Sequence, residues 1–182
     1  YLKKLGAYII DADAIAKEVM EVGREGWQAV RNVFGNAYFM EDGRLDRKAL
    51  AELVFSDTNA LQKLNDTVHP IVKKVVCEEV LALMRSQSEK LIVLDVPLLV
   101  ESGWTDMVDE VWLVTVERQE QMERLMKRNG LSYKEAQLRI NSQMPLEEKR
   151  KYADRIIDNS GNVQNTYRQV DEIWQDVTAN LH

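Results

Sequence analysis

Apolar positions along the chain switch between two spacings, and the switches divide it into short strands and longer helices. Four compact apolar runs read as strands: Ala7–Ile10 ahead of Asp11 and Asp13, Leu91–Leu94 ahead of Asp95, Val111–Val116, and Arg155–Ile157. Between them the apolar spacing follows a helical period. Asp13 is the expected cap of a helix reaching about Val22, and Gly23 and Gly26 introduce another that runs to Phe34. Gly35 and the pair Asp42-Gly43 mark a loop. Asp46 and Asp57 are expected to cap helices over Arg47–Phe55 and Thr58–Val68. His69-Pro70 then opens a further helix whose apolar face is Val72, Val75, Val76, Val80 and Leu83. A basic helix is predicted around Arg118–Arg128 with Gly130 as its stop. Ser132 caps one to about Gln143, Pro145 starts a short one ending near Tyr152, and Val163–Leu181 closes the chain as an amphipathic helix.

Strands alternating with helices predict an α/β fold, a parallel sheet with helices on both faces. The helices between the first two strands exceed a simple crossover and read as an inserted helical subdomain, residues 23–87. A second insertion, 118–153, is rich in Arg and Lys. The remaining segments, 1–22, 88–117 and 154–182, make up the core. A basic flap over a sheet that carries acids suits a kinase lid, which neutralises phosphate and excludes water. The same charge pattern also describes a solvated helical face.

Composition narrows the function classes. The formal net charge of −6 over 182 residues argues against a general binder of nucleic acid or of anionic membranes. The longest apolar stretch, Leu91–Val100, is interrupted by Asp95 and Pro97 and falls short of the ~20 residues a membrane span needs. The single cysteine, Cys77, excludes an internal disulfide and any multi-cysteine metal site, and points to a reducing compartment, the cytoplasm. Cys77 lies in an apolar run and is expected to be a buried, inert thiol. With two histidines and no HExxH spacing, a catalytic zinc site has no ligand set.

The strand ends carry the candidate chemistry. If the chain stays extended through Asp13, then Asp11 and Asp13 share a face about 7 Å apart. Asp95 closes an apolar run as a Walker-B carboxylate does when it reaches Mg²⁺ beside a phosphate chain. Each of these acids could equally cap the helix that follows its strand.

The segments LGAYIIDADAIAKEV, FGNAYFMEDGRLDR, HPIV, DVPLLVESG and ADRIIDNSGN, in this order, closely resemble dephospho-CoA kinase. The resemblance spans nearly the whole chain. It implies a P-loop NTPase-like fold with a helical substrate-binding insertion and a helical lid, and transfer of a phosphoryl group from ATP, with Mg²⁺, to the ribose 3′-hydroxyl of dephospho-CoA. That reaction is the last step of coenzyme A synthesis. One departure stands out: no GxxxxGKS/T loop occurs, nor any Gly-Lys pair. The sequence is therefore expected to lack the family's N-terminal strand and P-loop, and to be inactive without them.

The resemblance carries roles onto particular residues. Asp13 matches the second aspartate of IDAD and is the expected base for the acceptor hydroxyl, with Asp11 supporting it, holding Mg²⁺ through water, or serving as a structural strand-end acid. Asp95 is the candidate magnesium ligand. Arg47, His69, Leu98, Leu99 and Glu101 match positions around the acceptor pocket. His69 could instead cap a helix, and Leu98 and Leu99 could be core. Arg124 and Arg128, one helical turn apart, and Arg139 are the expected phosphate-binding arginines of the lid. Asn159 lies in the loop against which related kinases place adenine, although Asn159-Ser160-Gly161 is also a common turn composition. Two other functions fit parts of the pattern: another small-molecule P-loop kinase, and a non-catalytic CoA- or nucleotide-binding module. The expected partners are ATP and dephospho-CoA alone, with no nucleic acid and no membrane. Oligomeric state is not encoded in any pattern of the chain.

Overall fold

The computed structural model describes residues 1–86 and 91–179, so the expected boundaries at Gln87 and Leu181 lie outside the described residues. The chain divides into two compact units, residues 2–97 and residues 98–182 together with Tyr1.

The first unit opens with a single helical turn, α1 (Leu2–Leu5), and a four-residue strand, β1 (Tyr8–Asp11). Four helices follow: α2 (Ala12–Val19), α3 (Glu25–Phe34), α4 (Arg47–Ser56) and α5 (Thr58–Arg85). Strand β2 (Ile92–Asp95) then pairs in parallel with β1, in the register Tyr8 to Ile92 through Asp11 to Asp95. Ile10 is fully buried, which pins that register, because a one-residue slip would turn it outward.

Two sequence expectations change here. Asp11, not Asp13, caps α2: its side chain accepts from the Ala14 backbone N–H at 2.9 Å. The strand therefore stops at Asp11, and Asp13 sits inside the first helical turn. The extended geometry that would have set both carboxylates on one strand face does not occur. The second change concerns His69-Pro70, expected to start a helix but found inside α5, which runs unbroken for 28 residues. A proline in a helix interior costs ~3 kcal/mol through a lost hydrogen bond and a clash. Val68, Val72 and Val76 flank it on the buried face, and α2, α3 and α4 all pack against this helix. At ~1.5–3 kcal/mol for each buried aliphatic side chain, that face outweighs the proline.

The loop between α3 and α4 is built around Asp42 and Gly43. The Arg44 backbone N–H and Nε both donate to Asp42, at 3.0 and 2.7 Å. Gly43 takes a positive φ of 82° and offers its carbonyl to Trp27 Nε1 at 2.8 Å. The turn brings Phe39 and Leu45 together as an antiparallel bridge and delivers Asp46 to the start of α4, where it accepts from the Lys48 and Ala49 N–H groups at 3.1 and 3.0 Å.

The second unit begins with a tight turn, residues 98–104, closed by backbone bonds from Ser102 to Leu98, Gly103 to Val100 and Trp104 to Leu99. Trp104, its last residue, is buried, and a short 3-10 turn, Thr105–Met107, follows that the sequence pattern does not announce. Strand β3 (Trp112–Thr115) pairs in parallel with β4 (Arg155–Asp158). Between them lie α6 (Arg118–Asn129), α7 (Tyr133–Asn141) and α8 (Leu146–Lys149). Gly130, in the left-handed region at φ 65°, ends α6, and a reciprocal Ser132–Glu135 capping box starts α7 as expected. Helix α9 (Val163–Ala179) packs on β4. No helix among the described residues is long and apolar enough to cross a membrane.

Gly26, buried in α3, lies close against the end of α2. A Cβ there would lie 2.7 Å from the Val19 carbonyl oxygen at the end of α2. Gly26→Ala is expected to destabilise the protein by about 1–3 kcal/mol, because backbone and not a flexible side chain stands in the way. Chemical denaturation checks this; a stability equal to or above wild type would show that the α2–α3 turn yields freely.

Candidate active site

In the first unit the candidate chemistry gathers at the carboxyl ends of β1 and β2. Register pairing sets Asp11 beside Asp95, and Asp13 follows two residues on in α2. Open α/β sheets place ligands at such strand ends. One oxygen of Asp11 is committed to the Ala14 N–H. The Asp95 carboxyl is raised above its ordinary value, first by loss of water around it and then by repulsion from Asp11 and Asp13. A cation would relieve that repulsion, and hard carboxylate oxygens suit Mg²⁺. Among the described residues no three His, Cys, Asp or Glu side chains converge as a ready metal cage. In phosphoryl-transfer sites Mg²⁺ is held by one or two carboxylates, with phosphate oxygens and water completing the shell, and Asp11 and Asp95 are two such oxygen donors. The donor set therefore fits the ion.

Arg47 is the first residue of α4, placed there by the Asp46 cap. Its guanidinium Nη2 donates to the Lys17 carbonyl at 3.2 Å, in the last turn of the helix that carries Asp13. A cation at that end also complements the helix dipole. His69 lies half-buried in the middle of α5, so the helix-capping alternative for it fails. Desolvation holds its pKa below the usual histidine value, against a smaller opposing pull from Asp66. Cys77, in the same helix, is half-buried.

In the second unit Leu98 and Leu99 are half-buried in the turn that follows Pro97. Glu101, two residues on, turns its carboxylate to the region after α7: Oε1 accepts from the Met144 backbone N–H at 3.1 Å and meets Lys149 Nζ at 2.8 Å. That pair is largely shielded, with 11% of the Lys149 and 20% of the Glu101 side chain exposed, so it is little screened by salt. Glu101 Oε2 is buried with no hydrogen-bond partner among the described residues. Lys149 carried no signal in the sequence, because its partner lies 48 residues away.

Arg124 and Arg128 occupy successive turns of α6, both exposed, as their spacing predicts. Arg124 Nη2 donates to Glu120 at 2.6 Å, and Arg128 Nε to the Asn129 side chain at 3.1 Å. Arg139 is exposed in the last turn of α7. The loop after β4 is tied on every side. The Asn159 N–H donates to the Thr115 carbonyl at 2.7 Å, and its side-chain oxygen accepts from Thr166 at 3.0 Å. Asp158 accepts from the Ser160 N–H at 2.9 Å, and hydrogen bonding first from the Ser160 side chain and then from this N–H holds its pKa below the ordinary range. The Ser160 hydroxyl oxygen accepts from the Glu117 N–H at 3.0 Å, standing in for the side-chain cap that α6 lacks. Ser160 and Glu120 were missed from sequence; Glu120 had a legible signal, an acid four residues before an arginine on one helix.

The raised carboxyl of Asp95 has a measurable consequence. The folded protein takes up this proton more readily than the unfolded chain, so stability falls as pH rises from the ordinary value of 3.8 through the raised one. Asp95→Asn is expected to raise the melting temperature at pH 7. The gain should vanish once the pH drops below the ordinary carboxylate value. Thermal scans of both proteins at pH 7 and pH 3 check this, and a variant less stable at pH 7 would count against the repulsion.

Comparison with known proteins adds to this geometry. The family model described as Dephospho-CoA kinase matches residues 1–165. A dephospho-CoA kinase of Carboxydothermus hydrogenoformans is 45% identical over 174 residues, covering 96% of this chain and 84% of the relative. One from Symbiobacterium thermophilum is 43% identical, with 96% and 72% covered. Among solved structures, TT1252 from Thermus thermophilus superposes with a TM-score of 0.76 at 36% identity, covering 96% of this chain and 87% of that one. The dephospho-CoA kinase from Campylobacter jejuni gives 0.68 at 26% identity, with 99% and 89% covered.

Proposed function

The chain belongs to the dephospho-CoA kinase family, with its P-loop NTPase-like α/β fold, and its activity is the ATP-dependent phosphorylation of dephospho-CoA to coenzyme A; we propose how its residues divide that work. The observation that carries the division is the pairing of Asp11 with Asp95 at two parallel strand ends, with Asp13 in the helix turn that follows.

Asp13 is the general base for the ribose 3′-hydroxyl. Its carboxylate is exposed in the first turn of α2, and the capping role that would otherwise explain it belongs to Asp11. Asp95, with Asp11 beside it, holds Mg²⁺ together with phosphate oxygens, which supplies charge neutralisation along the phosphate chain. Residues 23–87 form the acceptor-binding insertion. Arg47 and His69 in that insertion, with Leu98, Leu99 and Glu101 of the turn after β2, contribute to recognition of dephospho-CoA. For Glu101 the contribution is to hold the turn that presents the two leucines, since its carboxylate is engaged by Met144 and Lys149. Residues 118–153 form the lid, where Arg124, Arg128 and Arg139 take phosphate oxygens in planar, charge-assisted contacts. Asn159 faces adenine from the loop after β4. The core is 1–22, 88–117 and 154–182, and the cytoplasm is the compartment that fits a protein with one thiol and no disulfide.

The test is a coupled assay of CoA and ADP formation by the protein expressed from its complete reading frame, with Asp13→Asn compared against wild type. Loss of a general base lowers kcat by about 10²–10⁴-fold. The KM for dephospho-CoA should hold steady, and stability should change by no more than the ~0.3–1 kcal/mol of a first-turn acid at a helix N-terminus. A drop in kcat of less than about tenfold would overturn the assignment of Asp13.

A further inference from the structure

Glu120 occupies the first turn of α6 and makes two contacts of different kind. One turn along the same helix, Arg124 Nη2 donates to its Oε1 at 2.6 Å. From the loop after β4, 41 residues away in sequence, the Gly161 backbone N–H donates to both carboxylate oxygens, at 3.0 Å to Oε2 and 3.3 Å to Oε1. Gly161 takes a positive φ of 69°, so this N–H is aimed by a backbone conformation that other residues rarely adopt. About a third of the Glu120 side chain and two fifths of the Arg124 side chain are exposed.

An exposed acid–base pair four residues apart on a helix is worth only ~0.3–0.5 kcal/mol, and by itself would decorate a surface. Here the same carboxylate also fixes a backbone amide two residues beyond Asn159. The Ser160 hydroxyl, between them, accepts from the Glu117 N–H at the start of the same helix. Helix α6 and the loop are thus joined at two points one turn apart. Arg124 offers five N–H donors in a rigid plane, and only Nη2 has a partner among the described residues. Glu120 takes that edge, and so sets the direction in which the remaining donors face.

We propose that Glu120 is a positioning residue that couples recognition of the nucleotide base to recognition of its phosphates, by orienting Arg124 and holding the Asn159–Gly161 loop with one carboxylate. The inference rests on the reading of Arg124 and Asn159 as ATP-binding residues. Its consequence is that the two contacts are not independent. A change at Glu120 disturbs the phosphate contact and the base contact together, while the acceptor side of the reaction is untouched.

The test is a double-mutant cycle on Glu120→Ala and Arg124→Ala in the full reading frame. It reads the KM for ATP, the KM for dephospho-CoA, the ratio of kcat/KM with ATP to that with GTP, and the melting temperature. Glu120→Ala is expected to raise the KM for ATP by about 3–10-fold and to lower the preference for ATP over GTP, with the KM for dephospho-CoA unchanged. In the Arg124→Ala background, Glu120→Ala should raise the KM for ATP by less than about twofold further, because contacting residues do not act additively. It should still lower the ATP preference there, through the loop. A merely structural surface pair would move the melting temperature and leave the base preference alone. If Glu120→Ala is too unstable to assay, Glu120→Gln, which keeps one accepting oxygen but puts an amide N–H₂ in place of the other, should show the same non-additivity. Additive effects of Glu120 and Arg124, or a wild-type ATP preference in both Glu120 variants, would overturn the proposal alone. A wild-type KM for ATP in Arg124→Ala would overturn the phosphate-binding reading of Arg124, and the proposal with it.

Discussion

The parallel pairing of β1 with β2 is the constraint on which the first unit's chemistry depends. Four residues on each strand are enough to bring Asp11 and Asp95 side by side, and nothing in the acids themselves favours that meeting. Loss of water first, and repulsion from Asp11 and Asp13 second, raise the pKa of Asp95. The fold tolerates it because the register is set elsewhere, by the burial of Ile10 and by the helices α2, α3 and α4 packed against α5.

Electrostatics in the second unit runs the other way. Several cations and anions there are paired: Glu120 with Arg124, Glu101 with Lys149, and Arg155 with both Glu110 and Asp176. Most are exposed and contribute little to stability. Their value is geometric. Arg155, in β4, joins the approach to β3 to helix α9, while the Glu101–Lys149 pair joins the turn after Pro97 to α8. The loop after β4 has almost no apolar content, and it is held by hydrogen bonds to α6, β3 and α9 instead of by burial. A polar loop fixed in this way stays accessible and still keeps its shape.

Most of the fold was legible because its determinants are local. The caps Asp46, Asp57 and Ser132, the stop at Gly130 and the turn at Asp42-Gly43 each act over a few residues, and each occurs where the pattern predicts. The candidate acids at strand ends were legible for the same reason: a short apolar run closed by a carboxylate is a local signal. The choice between Asp11 and Asp13 as the cap was not. Either residue type can cap, and the outcome depends on where pairing with β2 releases the chain.

By itself, the sequence determined the alternation of strands and helices, the family to which the chain belongs and the positions of its candidate acids and arginines. Tertiary structure alone decided that α5 continues through Pro70, because the gain from burying Val68, Val72 and Val76 against three other helices has no signature in the local pattern. It also decided the distant contacts of Glu101 with Lys149, Glu120 with Gly161 and Ser160 with Glu117, each about 40 or more residues apart in sequence. Propensity and capping act between neighbours along the chain, whereas a carboxylate's charge acts through space, and only the folded chain decides which cation or amide stands within its reach.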